Sequence, residues 1–221
     1  KLYNYFRSSA SFRVRIALNL KGLAYEYVAV HIAKGEHKQP AYADVSADGL
    51  VPTLEIQGRR LSQSMAIIEY LDEVQPLPRL LPANALDRAR VRALSQSIAC
   101  EIHPLNNLRV LRYLMKTLGV SPEAKDVWSQ HWMTVGLESL EKQLSTDARV
   151  GRFAYGDQPG LIDICLVPQI FNALSVKMDM KAYPTLMGIF HQCMALPAFI
   201  EASWENQIDA EGSNPFAPPQ E

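Results

Sequence analysis

Three prolines, Pro76, Pro78 and Pro82, divide this chain into two patterns that one repeating architecture cannot contain. Proline lacks a backbone N–H and fixes φ, so such a cluster excludes a regular helix or a central strand across it. Before the prolines, apolar runs of strand length alternate with helical periodicity. After them the periodicity is helical throughout.

In the first part, residues 2–6 read as a strand and Phe12, Ile16, Ala17 and Leu20 recur at helical spacing over 9–20. Lys21-Gly22 stops that helix, and 25–30 form a second strand, which makes a βαβ unit. A polar stretch over 33–48 leads to a strand at 51–56 that turns at Gly58 toward Leu61. A helix then runs from Ser64 through Ile67, Ile68 and Leu71.

Beyond the prolines, Leu94, Ile98, Ile102, Leu105, Leu108 and Leu111 follow spacings of three and four, which predicts one long helix kinked at Pro104. Ser121-Pro122-Glu123 opens a helix carrying Trp128, Trp132, Val135 and Leu140. Residues 161–170 are apolar almost all round and belong at the centre of a core. Leu186, Ile189, Phe190 and Cys193 mark a further helix. The expected fold class is an α/β domain over 1–78 followed by an all-helical domain over 84–211. The tail over 212–221, with three prolines, is expected to be mobile.

Composition removes several function classes. With 22 basic and 23 acidic side chains the net charge is −1, which gives no general attraction for nucleic acid or an anionic membrane. Cys100, Cys165 and Cys193 are odd in number and scattered. That spacing suits neither a disulfide framework nor a metal site and favours a reducing compartment. No apolar run has membrane length, so the expectation is a soluble cytoplasmic protein.

The chemistry concentrates where the first strand meets the first helix. Ser8 and Ser9 are natural N-caps, and the unpaired N–H groups of a first turn, with the helix dipole, stabilise a thiolate, carboxylate or phosphate. Arg7 and Arg13 add formal charge; an ordinary capped helix with solvated arginines is the reading that these residues favour on their own. Arg13 and Arg15 stand about 200° apart on a helix, so only one of them faces a cleft. Gln63-Ser64 begins the next helix, either as a second carboxylate site or as a plain N-cap. A cis bond at Val51-Pro52 would turn the Val51 amide and carbonyl outward toward an extended peptide.

Tyr5-Phe6-Arg7-Ser8-Ser9-Ala10-Ser11-Phe12-Arg13-Val14-Arg15-Ile16-Ala17-Leu18, with Val51-Pro52-Thr53-Leu54, Gln63-Ser64 and Asp163-Ile164-Cys165-Leu166-Val167-Pro168-Gln169, resembles the zeta-class glutathione transferases from Lys1 to about Gln207. That resemblance implies a thioredoxin-like domain with a cis Val51-Pro52 bond, a helical domain, a homodimer and bound glutathione. It implies isomerisation of maleylacetoacetate, a small anionic substrate, with maleylpyruvate as the alternative. Conjugation or α-haloacid chemistry, and a non-catalytic module on the same fold, are lower alternatives.

Carried over position by position, the resemblance sets Ser8 against the glutathione sulfur with Ser9 beside it. Val51, with Pro52, would pair with the cysteinyl backbone, and Gln63 and Ser64 would hold the γ-glutamyl end. His37 joins the glutathione contacts. His103 and Asn107, four apart on one helical face, and Arg109 on the long helix would meet the ligand from the second domain. Arg13, and then Arg7, would supply cations for the substrate. Ala10 replaces a cysteine that many members carry, which removes mixed-disulfide chemistry. The segment Asn172-Ala173-Leu174-Ser175 lacks an arginine that relatives often place there, with Lys177 a possible stand-in. Gly160 leaves only the acidic half of a reciprocal helix cap, so Asp163 reads as structural.

Magnitudes assign the main role to a hydroxyl. Lowering a thiol pKa from ~8.5 by about two units takes ~2.7 kcal/mol. A helix dipole supplies ~0.3–1 kcal/mol and a hydrogen bond to a charged partner ~1.5–3 kcal/mol. The dipole alone falls short, and Ser8 is expected to make up the difference.

Overall fold

Strand β1 (Leu2–Asn4) is flanked on both sides. It pairs in parallel with β2 (Tyr27–Ala29) and antiparallel with β3 (Thr53–Ile56), and β3 pairs antiparallel with β4 (Arg59–Ser62), giving the order β2-β1-β3-β4. A parallel pair needs a crossover, which helix α1 (Ser9–Leu20) provides. Gln57 and Gly58, with φ of 50° and 72°, close the β3–β4 hairpin in the left-handed conformation that two-residue turns prefer. A four-residue helix α2 (Pro40–Ala43) lies between β2 and β3, and α3 (Ser64–Val74) follows β4.

This computed structural model describes residues 1–211; the expected mobile tail lies outside them. Two compact units are present, one of Lys1–Leu80 together with the segment from Met194, the other of Leu81–Cys193. In the first, α1 packs on α3, and Leu2, Phe12, Ile16, Ile67, Ile68 and Leu71 are almost wholly buried. The buried Lys21 ammonium donates to Asp72 Oδ1 at 2.5 Å, Gln75 O at 2.6 Å and Pro78 O at 2.5 Å. All three of its donors are used, which fastens the end of α1 to the end of α3 and to the proline segment.

The second half differs from the sequence expectation in two ways. The helical domain does not extend over 84–211, because the chain after α8 (Pro184–Met194) returns to the first unit. The buried face of α1 draws it there: Asn19 Nδ2 donates to Ala198 O in α9 (Pro197–Ile200) at 3.1 Å, and Arg15 Nε to Ala202 O at 3.0 Å.

Nor is there one long kinked helix. After α4 (Ala85–Gln96) the chain widens into a π turn, Ser97–Ile102, in which His103 N–H reaches back five residues to Ile98 O at 2.9 Å. A 3-10 turn, Pro104–Asn106, follows, then Asn107 in extended conformation, then α5 (Leu108–Lys116). Pro104 cannot donate and its ring crowds the preceding turn, so the helix breaks instead of bending.

Helix α6 (Pro122–Ser145) opens with Ser121 Oγ accepting from Ala124 N–H at 3.2 Å. Helix α7 (Leu161–Ser175) is buried along nearly its whole length. At its start the Asp163 carboxylate accepts from Gly160 N–H at 2.8 Å and Ala154 N–H at 2.9 Å. Burial pushes this carboxyl up to about 6, against backbone bonds from Ala154, Gly160 and Asp163 itself that favour its ionised form. Among the described residues no helix is long and apolar enough to cross a membrane.

Candidate active site

Sheet register decides which loops meet. Thr53 lies opposite Tyr3 on one side and opposite Ser62 on the other, and β1 runs parallel to β2. The chain therefore leaves β1, β2 and β4, and enters β3, at one end of the sheet. The segments that follow β1, precede β3 and follow β4 are gathered there, and with them Ser8, Ser9, Val51, Pro52, Gln63 and Ser64.

Ser8 is the N-cap of α1. Its Oγ accepts from Ser11 N–H at 3.2 Å, which leaves the hydroxyl proton available to an outside acceptor. Ser8 is half-buried and Ser9 fully buried. One turn further along, the buried Arg13 donates from Nη1 to Ser64 Oγ at 3.4 Å and so places a guanidinium between the starts of α1 and α3.

Gln63 precedes α3 but is not the plain N-cap that one reading of the sequence suggests. Its side chain makes no cap bond, and its backbone sits at φ 68°, ψ 112°. Such a conformation in a residue other than glycine costs on the order of 1–3 kcal/mol. The neighbouring Val51-Pro52 bond is cis. Among the described residues neither the N–H nor the C=O of Val51 has a hydrogen-bond partner, so the backbone of the segment entering β3 offers both groups to a ligand. His37 is half-buried in the loop between β2 and β3, and a Cβ on Gly49, two residues before Val51, would stand 3.1 Å from His37 O.

Arg7 is exposed, its guanidinium 5.1 Å from the ring centre of Trp204. Arg15 points elsewhere, as the helical angle requires. Fully buried, it donates from Nη1 to Asn4 Oδ1 at 2.9 Å and Tyr5 O at 3.3 Å, and from Nη2 to Phe6 O at 2.9 Å. Burial draws its guanidinium down to about 10, so it stays charged at neutral pH.

The second unit corrects the shared helical face expected of His103 and Asn107. The break at Pro104 leaves His103 half-buried at the junction of the π and 3-10 turns. Asn107 caps α5, its Oδ1 accepting from Arg109 N–H at 3.1 Å, and Arg109 is exposed in the first turn of that short helix. Ser175 Oγ donates to Asn172 O at 2.7 Å, and Lys177 follows α7 in the left-handed conformation.

Sequence reasoning missed Asp209. Its carboxylate accepts from the Phe6 N–H at 3.3 Å and from the Tyr27 hydroxyl. The contact to Phe6 spans 203 positions, and no local pattern announces such an approach.

Residues 1–73 match the family described as Glutathione S-transferase, N-terminal domain. The chain is 47% identical over 211 residues to a probable maleylacetoacetate isomerase of Vibrio cholerae, covering 95% of this chain and 97% of that one. It is 45% identical over 210 residues to a maleylpyruvate isomerase of Ralstonia sp., covering 95% and 99%. Among solved structures, the holo form of a zeta-class bacterial maleyl pyruvate isomerase superposes with a TM-score of 0.93 at 44% identity, covering 95% and 99%. A maleylacetoacetate isomerase of Methylobacterium extorquens with bound malonate and GSH gives 0.92 at 38% identity, covering 96% and 99%.

Proposed function

This chain belongs to the zeta class of glutathione transferases, and from that premise we propose how its residues divide the work of a glutathione-dependent cis–trans isomerase. The reaction is conversion of maleylacetoacetate to fumarylacetoacetate, with maleylpyruvate the alternative substrate.

The residues suit glutathione. The unpaired N–H and C=O of Val51 fit the backbone of an extended peptide, and two helix N-termini with Arg13 between them fit anionic groups. In this reading Val51 and Pro52 hold the cysteinyl backbone, Gln63 and Ser64 the γ-glutamyl end, and His37 a further contact. When bound, glutathione supplies a thiolate that adds to the conjugated alkene, frees the bond to turn, and leaves unchanged.

Ser8 would donate a hydrogen bond from its hydroxyl to the sulfur and so favour the thiolate. Because Ser8 Oγ already accepts from Ser11 N–H, that bond draws density from the oxygen and strengthens it as a donor. Ser9 stands beside it. Arg13 keeps the region positive, and Arg7, stacked on Trp204, presents its guanidinium edge to a substrate carboxylate. The observation that carries the reading is the meeting of Ser8, the open Val51 backbone and Gln63 at one end of the sheet.

The test is turnover of maleylacetoacetate and maleylpyruvate side by side, with and without glutathione. Isomerisation that requires glutathione and returns all of it supports the proposal; consumption of glutathione would favour a conjugating transferase. Calorimetry on the alanine variants of His103, Asn107 and Arg109 reads the contribution to glutathione affinity that the family pattern implies for them. Sedimentation tests the homodimer that we also propose.

A further inference from the structure

The peptide group joining Tyr5 to Phe6 is held at both ends by opposite charges. Its carbonyl oxygen accepts from Arg15 Nη1 at 3.3 Å, and its N–H donates to Asp209 Oδ2 at 3.3 Å. The same oxygen accepts the Ser8 N–H at 3.0 Å. Both charged groups are themselves anchored: Asp209 Oδ1 accepts from the Tyr27 hydroxyl, and Arg15 reaches Asn4 Oδ1, Phe6 O and Ala202 O at 2.9, 2.9 and 3.0 Å.

Hydrogen bonds in series polarise one another. A carboxylate at the Phe6 N–H increases the negative charge on Tyr5 O, the atom that holds the Ser8 amide. A cation on that oxygen fixes its direction. The turn from β1 into α1 is thereby oriented by two side chains that lie behind it, one of them 203 positions away.

We propose that Asp209 and Arg15 are positioning residues that grip the Tyr5–Phe6 peptide and set the place of Ser8 at the head of α1. This rests on the reading of Ser8 as the group that steadies the glutathione sulfur. Neither residue touches the reacting atoms. Both meet at the Tyr5–Phe6 peptide, and docking of the segment that carries Asp209 becomes a condition for efficient turnover.

The experiment compares Asp209→Ala and Asp209→Asn with Ile208→Ala, an exposed neighbour, in the full chain. Three quantities are read: kcat, the KM for glutathione, and the pH midpoint of thiolate formation in the glutathione complex, followed by ultraviolet absorbance without substrate. Asp209→Ala is expected to lower kcat about tenfold, the scale of one hydrogen bond to a charged group. Its KM should change less than about twofold, since groups that bind glutathione without reacting are untouched. The thiolate midpoint should rise. Asp209→Asn, which keeps one carbonyl acceptor for the Phe6 N–H, should recover most of the rate, and Ile208→Ala should match the parent.

A thiolate midpoint unmoved in Asp209→Ala would overturn the proposal, even if thermal stability fell, because a purely structural role predicts that pattern. Should Asp209→Ala not fold, Tyr27→Phe, which frees the other carboxylate oxygen, must raise the midpoint by a smaller amount; no rise overturns the proposal equally. Ser8→Ala separates the two readings. If it leaves the midpoint unmoved, the assignment of Ser8 has failed; if it moves the midpoint and Asp209→Ala does not, only the grip has failed.

Discussion

Arg13 Nη1 lies 3.4 Å from Ser64 Oγ, so a buried cation on the second turn of one helix reaches the first residue of another. Lysine at position 13 keeps the charge but loses the planar guanidinium that donates to Ser64 Oγ. Arg13→Lys should weaken glutathione binding by about tenfold, a loss of ~1.4 kcal/mol measurable by calorimetry.

Ser8→Ala removes the hydroxyl that the proposed function sets against the sulfur, while leaving the Val51 backbone and the start of α3 intact. The expected loss is in kcat, by about tenfold to a hundredfold, the worth of a hydrogen bond to a charged partner. Glutathione affinity should change much less. Equal rates in the two proteins would refute the assignment.

Gln63→Gly relieves a backbone conformation that only glycine adopts without strain. Thermal unfolding should shift upward, by up to ~1 kcal/mol of stability. Glutathione affinity should fall, because the side chain assigned to the γ-glutamyl end is gone. A variant that gained stability and kept full affinity would show that Gln63 has no part in binding.

Lys21→Met leaves Asp72, Gln75 O and Pro78 O without their shared ammonium. Removing one partner of a buried ion pair costs about 3–5 kcal/mol, and the thermal midpoint should drop accordingly. Because Lys21 lies at the far end of α1 from Ser8, the thiolate midpoint of the folded variant should stay at the parent value.

Asp163 gives a pH signature. Its carboxyl is raised in the folded chain from 3.8 to about 6, so between those values the folded state binds more protons than the unfolded one. The stability it contributes is present in full below its unfolded value and is lost as pH rises through about 6. Subtracting the unfolding curve of Asp163→Asn, which cannot titrate, should isolate a difference that declines across that window. A flat difference would contradict the shift.

Local signals carried much of this molecule. Ser8 as a cap, the strand ending at Ile56 and the buried helix beginning at Leu161 all follow from side-chain periodicity and the chemistry of the residues at their ends. The unbroken apolar spacing from Leu94 to Leu111 misled, because of its residues only Leu94, Ile98 and Ile102 are buried, while the backbone changes its winding at Pro104 and Leu105, Leu108 and Leu111 beyond it are half-buried. Contacts between distant segments were not legible at all. Arg15 and Ala202, or Phe6 and Asp209, come together only when the chain end docks, and nothing near either residue encodes its partner.

One oxygen atom, Ser8 Oγ, caps the start of a helix and is the atom on which the proposed chemistry rests. If the proposed role of Ser8 holds, robustness and reactivity are welded at a single side chain, and substitution at position 8 trades one against the other.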